Sequence, residues 1–174
     1  MTQPTTAHPR FTAALEQLGL ADVEVRGFPA ATRTATEAAE AIGCGLDQIV
    51  KSLVFEADGD PVLVLMGGAG RVDVELVRAE LSSESVGRAS AETVRRATGF
   101  AIGGVPPFGH ATAMRVLADR GLLAHETVWA AAGTPHTVFA LAPRALVEYA
   151  GGRLADVREG TRTAGEARPT EQSA

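Results

Sequence analysis

Two apolar, β-branched runs, Ile49 to Glu56 and Pro61 to Met66, flank the tetrapeptide Ala57-Asp-Gly-Asp60. Such side chains suit a pleated surface, and an Asp-Gly pair accepts the backbone of a tight turn, so this spacing predicts an antiparallel hairpin. No other stretch constrains the fold as strongly. The first strand also carries Lys51, the only lysine of the chain, set among Ile49, Val50, Leu53, Val54 and Phe55 against fifteen arginines elsewhere. A sequence that uses Arg for its generic cations and keeps one Lys inside an apolar strand points to a site that tells a compact ammonium from a planar guanidinium. The alternative is a lysine whose stem crosses the sheet edge and whose head reaches water.

The remaining elements read from their punctuation. Phe11, Leu15 and Leu18 recur at helical spacing and stop at Gly19, which predicts a helix over about residues 8–18, followed by a short strand at Val23–Arg26. Thr34 or Thr36 can cap a helix through Glu37 to Ile42; Thr34 and Glu37 have capping-box spacing, and Gly43 ends the helix. Asp73 caps a helix ending near Leu81, a short strand is expected near Val86, and Ser90 opens a helix over Ala91–Thr98. Strand-like segments follow at Phe100–Ile102, Ala113–Leu117, Thr127–Ala130 and Thr137–Leu141, and Pro143 opens a helix to about Ala150. Helices and strands intermingle without regular βαβ alternation. The expectation is therefore an α+β fold, a single domain over residues 1–159 with a central mixed, curved sheet flanked by helices. Residues 160–174, rich in Gly, Thr, Glu and Arg, are expected to form a disordered tail.

Composition narrows the function. A net charge of −5 excludes a broadly basic DNA- or RNA-binding face, leaving Arg71, Arg78, Arg88, Arg95 and Arg96 either to meet a few phosphates or to pair with neighbouring carboxylates. The N-terminal residues have no basic segment leading into an apolar one, and no apolar run reaches about 18 residues, so a cytoplasmic protein without membrane contact is expected. Cys44 is the single cysteine, which fits a reducing compartment and a packed thiol. The loop Gly67-Gly-Ala-Gly-Arg71 lacks both the P-loop lysine and dinucleotide-binding spacing and reads as a plain turn.

The densest group of backbone-shaping residues is Gly99-Phe-Ala-Ile-Gly-Gly-Val-Pro-Pro-Phe-Gly-His110. Its glycines permit close approach of a ligand and its prolines stiffen the chain, so it is either a binding loop that works through its main chain or a rigid turn. The turn Gly133-Thr-Pro-His136 is suited to form an opposite wall. His110 and His136 lack a third ligand at metal-binding spacing and are read as hydrogen-bonding groups that orient these loops; no metal and no cofactor are expected.

Together, the helix and Thr-rich turn ending at Thr34, Glu37–Gly43, the strand Ile49-Val-Lys-Ser-Leu-Val-Phe55, Gly103-Gly-Val-Pro-Pro-Phe-Gly-His110 and Ala132-Gly-Thr-Pro-His136 resemble the YbaK/EbsC family. These are free-standing relatives of the editing domain of bacterial prolyl-tRNA synthetases. The resemblance covers about residues 10–157. It implies hydrolysis of the ester that joins a wrong amino acid to transfer RNA, with the 3′ end of aminoacyl-tRNA as partner; prolyl-tRNA synthetase is a partner only in the docked-subunit alternative. It also implies that Lys51 is the key catalytic-site residue and that Gly103 and Gly104 line the aminoacyl pocket; Thr34, Ser52, Pro106, His110, Gly133 and His136 are further substrate-binding candidates from their places in the same strand and turns, Ser52 the weaker because it faces away from Lys51. Cysteine-specific members carry a charged Gly-Gly-Lys-like turn where this chain has Ala132-Gly-Thr-Pro-His-Thr-Val138, which points away from cysteinyl specificity. The competing classes are a binding module without turnover and a partner subunit docked on a synthetase.

Overall fold

The computed structural model describes residues 6–28 and 34–161. Strand β2 (Ile49–Ala57) and strand β3 (Asp60–Gly67) form the expected hairpin, with Lys51 opposite Met66 and Ala57 opposite Asp60. Asp58 and Gly59 form the turn at φ 51° and 88°, the positive values that match the twist of the two strands. Around this hairpin the described residues form an eight-stranded sheet in the order β1-β7-β6-β2-β3-β5-β8, with β4 pairing β2 off that path. Its other strands are β1 (Val25–Gly27), β4 (Val86–Arg88), β5 (Arg115–Asp119), β6 (Val128–Ala131), β7 (Thr137–Leu141) and β8 (Arg153–Ala155). The sheet is mixed: β2 runs parallel to β6 and β3 parallel to β5, while β6–β7 and β2–β3 are antiparallel.

Among the described residues five α-helices cover the sheet: α1 (Pro9–Gln17), α2 (Ala35–Ile42), α3 (Val74–Leu81), α4 (Ala91–Thr98) and α5 (Pro143–Ala150). Alternation along β2 sends Val50 and Val54 into a core with Phe11 and Leu15 of α1, Val94 of α4 and Leu146 of α5. The other face splits. Phe55 and Ala57 pack with Val77 of α3, whereas Ile49 packs with Trp129, Val138 and the Ala38–Ala39 edge of α2. Three apolar clusters on two faces of one sheet make the hairpin central, as its continuous apolar pattern requires.

Local chemistry sets the helix ends. Thr34 caps α2: its side chain accepts from the Glu37 amide, the Glu37 carboxylate accepts from the Thr34 amide, and Gly43 closes the helix in the left-handed region. Asp73 and Ser90 cap α3 and α4. One expectation needs correction, and one strand was not expected. Phe100–Ile102 is not a strand but part of the loop from Gly99 to Met114, because Phe100 is anchored by the buried Thr98 hydroxyl, which accepts its amide, instead of by a neighbouring strand. The short strand β8 was absent from the sequence reading. It exists because Leu117 and Ala118 of β5 offer a parallel edge to Arg153 and Leu154. Most of the expected tail, residues 162–174, and residues 29–33 of the Thr-rich turn lie outside the described residues. Among the described residues no helix is long and apolar enough to cross a membrane.

Candidate active site

The sheet is split beside β2. β6 pairs with β2 only at Ile49 and Val50, β4 pairs only at Phe55 to Ala57, and the segment between has no strand on that side among the described residues. A cavity of about 450 Å³ occupies the split. Its floor is β2 from Ile49 to Val54, and its walls come from the capping Thr34 and Ala38 of α2, Trp129 of β6, Ile102–Gly103, and Thr134–Pro135. That size falls within the range of small-ligand sites.

Adjacent strand residues face opposite ways, so Lys51 and Ser52 project to opposite sides of the cavity floor. Lys51 Nζ donates to the Gly70 carbonyl at 2.6 Å. Burial pushes its ammonium below the usual lysine range, the nearby Arg158, Arg71 and Arg88 push in the same direction, and Asp47 opposes them. Arg88, cross-strand from Phe55 and with its guanidinium 5.9 Å from that ring, is the other cation lining the cavity. On the opposite face the Ser52 hydroxyl is buried and has no hydrogen-bond partner among the described residues. Lys51 and Arg88 are the only ionisable side chains among the described lining residues, so no carboxylate, imidazole or thiol stands there to act as a base.

The glycine loop and the Gly133 turn meet as two walls. A Cβ on Gly104 would lie 3.0 Å from the Thr134 main chain and 3.1 Å from the Gly133 carbonyl oxygen, so only glycine lets the two loops come this close. Gly103 sits at φ 94°, in the region that disfavours side chains. Thr134 fixes its own turn: its hydroxyl lies 2.7 Å from that of Thr137 and accepts the His136 amide. His110 Nε2 donates to the Pro106 carbonyl at 2.7 Å and braces the glycine loop from behind. Burial holds the His110 imidazole below its ordinary value, partly offset by that hydrogen bond.

Of the residues named from the sequence, Lys51, Ser52, Thr34 and Gly103 line the cavity. Gly104, Pro106, His110, Gly133 and His136 are not among the lining residues. Three residues at or beside the cavity, Trp129, Asp47 and Arg158, carry no site signal in the sequence, and Arg88 is marked there only as one of five arginines able to meet phosphates. Trp129 and Arg88 reach the cavity through strand pairing. Asp47 and Arg158, 111 residues apart, join in an ion pair of 2.5 Å beside the Lys51 anchor. Arg158 lies against Gly70, where a Cβ would overlap its guanidinium, and Asp47 also accepts the Ala69 amide. Neither partner has a sequence signal, because the contact depends on how the chain folds back after β8.

The chain belongs to the aminoacyl-tRNA editing domain family, whose model matches residues 29–149. A solved structure of a candidate trans-editing enzyme for prolyl tRNA synthetase superposes with a TM-score of 0.84 and 42% identity, over 89% of this chain and all of that one. The uncharacterised protein YwhH of Bacillus subtilis (strain 168) is 35% identical over 127 residues, 72% of this chain and 80% of YwhH. The proline–tRNA ligase of Elusimicrobium minutum (strain Pei191) is 36% identical over 101 residues, 58% of this chain. That stretch is 17% of the ligase, so the chain corresponds to a small part of the larger enzyme.

Proposed function

We propose that this protein is a trans-acting deacylase that hydrolyses the ester of a mischarged transfer RNA, of prolyl type and carrying a small amino acid. The observation that carries the reading is the position of Lys51 on the floor of the cavity, in a chain of the editing family. The likeness to a candidate trans-editing enzyme for prolyl tRNA synthetase supports the choice of transfer RNA. Lys51 and Arg88 share one face of β2 and β4 and meet the terminal phosphate and ribose, where a compact ammonium and a broad guanidinium have separate tasks. Ile102, Gly103 and Pro135 enclose the acyl end.

An aminoacyl ester is already activated, so placement and polarisation supply much of the acceleration. Water adds to the acyl carbon, the bond from that carbon to the ribose oxygen breaks, and the freed hydroxyl of the transfer RNA takes the proton. With no base among the described lining residues, the neighbouring ribose hydroxyl of the substrate positions the water. The test is amino acid release from prolyl transfer RNA charged with alanine, serine, cysteine or proline, by wild type and by Lys51→Ala. Cleavage of a mischarged member, sparing the prolyl ester and lost in the variant, is the expected result. A folded Lys51→Ala protein that deacylates normally overturns the role of Lys51. No turnover of any ester by wild type favours a binding module or a subunit active only on a synthetase.

A further inference from the structure

We propose that the aminoacyl group docks on β2 as a one-residue antiparallel strand, its α-ammonium donating to the Ser52 carbonyl and its ester carbonyl accepting from the Ser52 amide. This rests on the deacylase reading and adds the element that recognises an unblocked amino acid.

The direction of the Ser52 main chain follows from its neighbours. The Ala89 amide donates to the Val54 carbonyl at 3.3 Å, and the two-residue Asp58-Gly59 turn makes Ala57 and Asp60 a hydrogen-bonded pair, so odd-numbered residues of β2 bond to β3 and even-numbered ones turn their polar groups toward β4. Residues two apart in a strand address the same edge. Lys51 and Leu53 are therefore satisfied by β3, while Ser52 points its amide and carbonyl into the split, where the described residues provide no strand. The buried, unpartnered Ser52 hydroxyl stands beside them. A hydroxyl, an amide and a carbonyl on one half-buried residue, facing no strand among the described residues, are costly unless something polar fills the split.

An α-aminoacyl ester carries the complementary pair. Its ammonium and carbonyl oxygen are spaced as the N–H and C=O of a strand residue, and a hydrogen-bonded antiparallel pair exchanges both bonds at once. The same bond from the Ser52 amide polarises the carbonyl that water attacks. Paired antiparallel residues put their side chains on one face. An L-acyl side chain would thus point to the Ser52 face, toward Val94 and Val105, leaving the face of Lys51 and Arg88 to the nucleotide. Acylation of the α-nitrogen removes the charge and adds bulk in the split, so N-blocked and peptidyl esters are excluded.

The experiment uses the isotope-labelled full chain and three non-hydrolysable probes: 3′-L-alanylamino-3′-deoxyadenosine, its N-acetyl derivative, and the propionyl analogue that lacks the amine. Amide resonances are followed on titration, alongside hydrolysis of alanyl and N-acetylalanyl esters of the transfer RNA. The Ser52 amide is expected to shift with the alanyl probe, and both altered probes to bind at least about tenfold more weakly, as loss of a charge-assisted hydrogen bond implies. Equal binding of all three, with the Gly103 and Ala131 amides moving and Ser52 still, overturns the docking mode and leaves the deacylase reading standing. If no cavity amide moves with any probe and no ester is cleaved, the deacylase reading falls and the docking mode with it.

Discussion

Lys51 Nζ and the Gly70 carbonyl oxygen lie 2.6 Å apart, which ties the cavity's lysine to a loop joining β3 to α3. The bond fixes one compact donor at one point, a geometry that a planar guanidinium does not reproduce. Lys51→Arg is expected to lower kcat/KM for a mischarged ester by at least about tenfold, equivalent to roughly 1.4 kcal/mol of transition-state stabilisation. Steady-state deacylation with a matched melting curve checks this.

The same lysine titrates below its ordinary range because folding buries it near arginines. The unfolded chain therefore binds its proton more tightly, and stability should rise as pH climbs from the folded value toward 10.5. Lys51→Met removes that slope. Urea midpoints from neutral to alkaline pH should show the variant gaining on wild type at neutral pH and losing the advantage as pH rises.

Asp47 and Arg158 brace the loop that holds Lys51. Burial alone would raise the Asp47 carboxyl, but the Arg158 hydrogen bond and the Ala69 amide outweigh it and hold the group below 3.8. A depressed carboxyl contributes stability above its unfolded value and loses it as pH falls through the folded one. Asp47→Asn is expected to cost about 1 kcal/mol near neutral pH, the side chains being only about 30% exposed. The difference should fade below pH 3.8, and a double-mutant cycle with Arg158→Met should recover most of it as coupling.

Gly104→Ala places a methyl group against the Thr134 main chain at 3.0 Å, where no side-chain rotation relieves it. The expected loss is about 1–3 kcal/mol, with the glycine loop pushed away from the Thr134 turn. A raised KM accompanying the lower urea midpoint would show that the loop contact sets the cavity wall; an unchanged midpoint would contradict it.

His110 is held mainly neutral by burial while donating to Pro106. With its folded value below 6.5, the unfolded chain takes up a proton first on acidification, so stability should fall as pH drops below about 6.5. His110→Gln keeps a donor and should flatten that part of the stability profile, measured by thermal melts between pH 5 and 7.5.

Local chemistry made much of this protein legible. The Asp58-Gly59 turn, the Thr34–Glu37 capping box and the Asp73 and Ser90 caps depend on neighbours within a few residues, and each stands where the sequence places it. Lys51 stood out because a lone cation in an apolar strand conflicts with its surroundings. Tertiary structure decided what no local pattern encodes. Phe100–Ile102 has strand-like composition but no strand beside it, and β8 exists only because β5 offers an edge. The ion pair of Asp47 with Arg158, the approach of Gly104 to Thr134 and the arrival of Arg88 and Trp129 at the cavity depend on chain segments distant in sequence. The split beside Ser52 is of the same kind: it is set by where β6 stops and β4 begins against β2, a register that hydrogen bonding between strands fixes only once the sheet has formed.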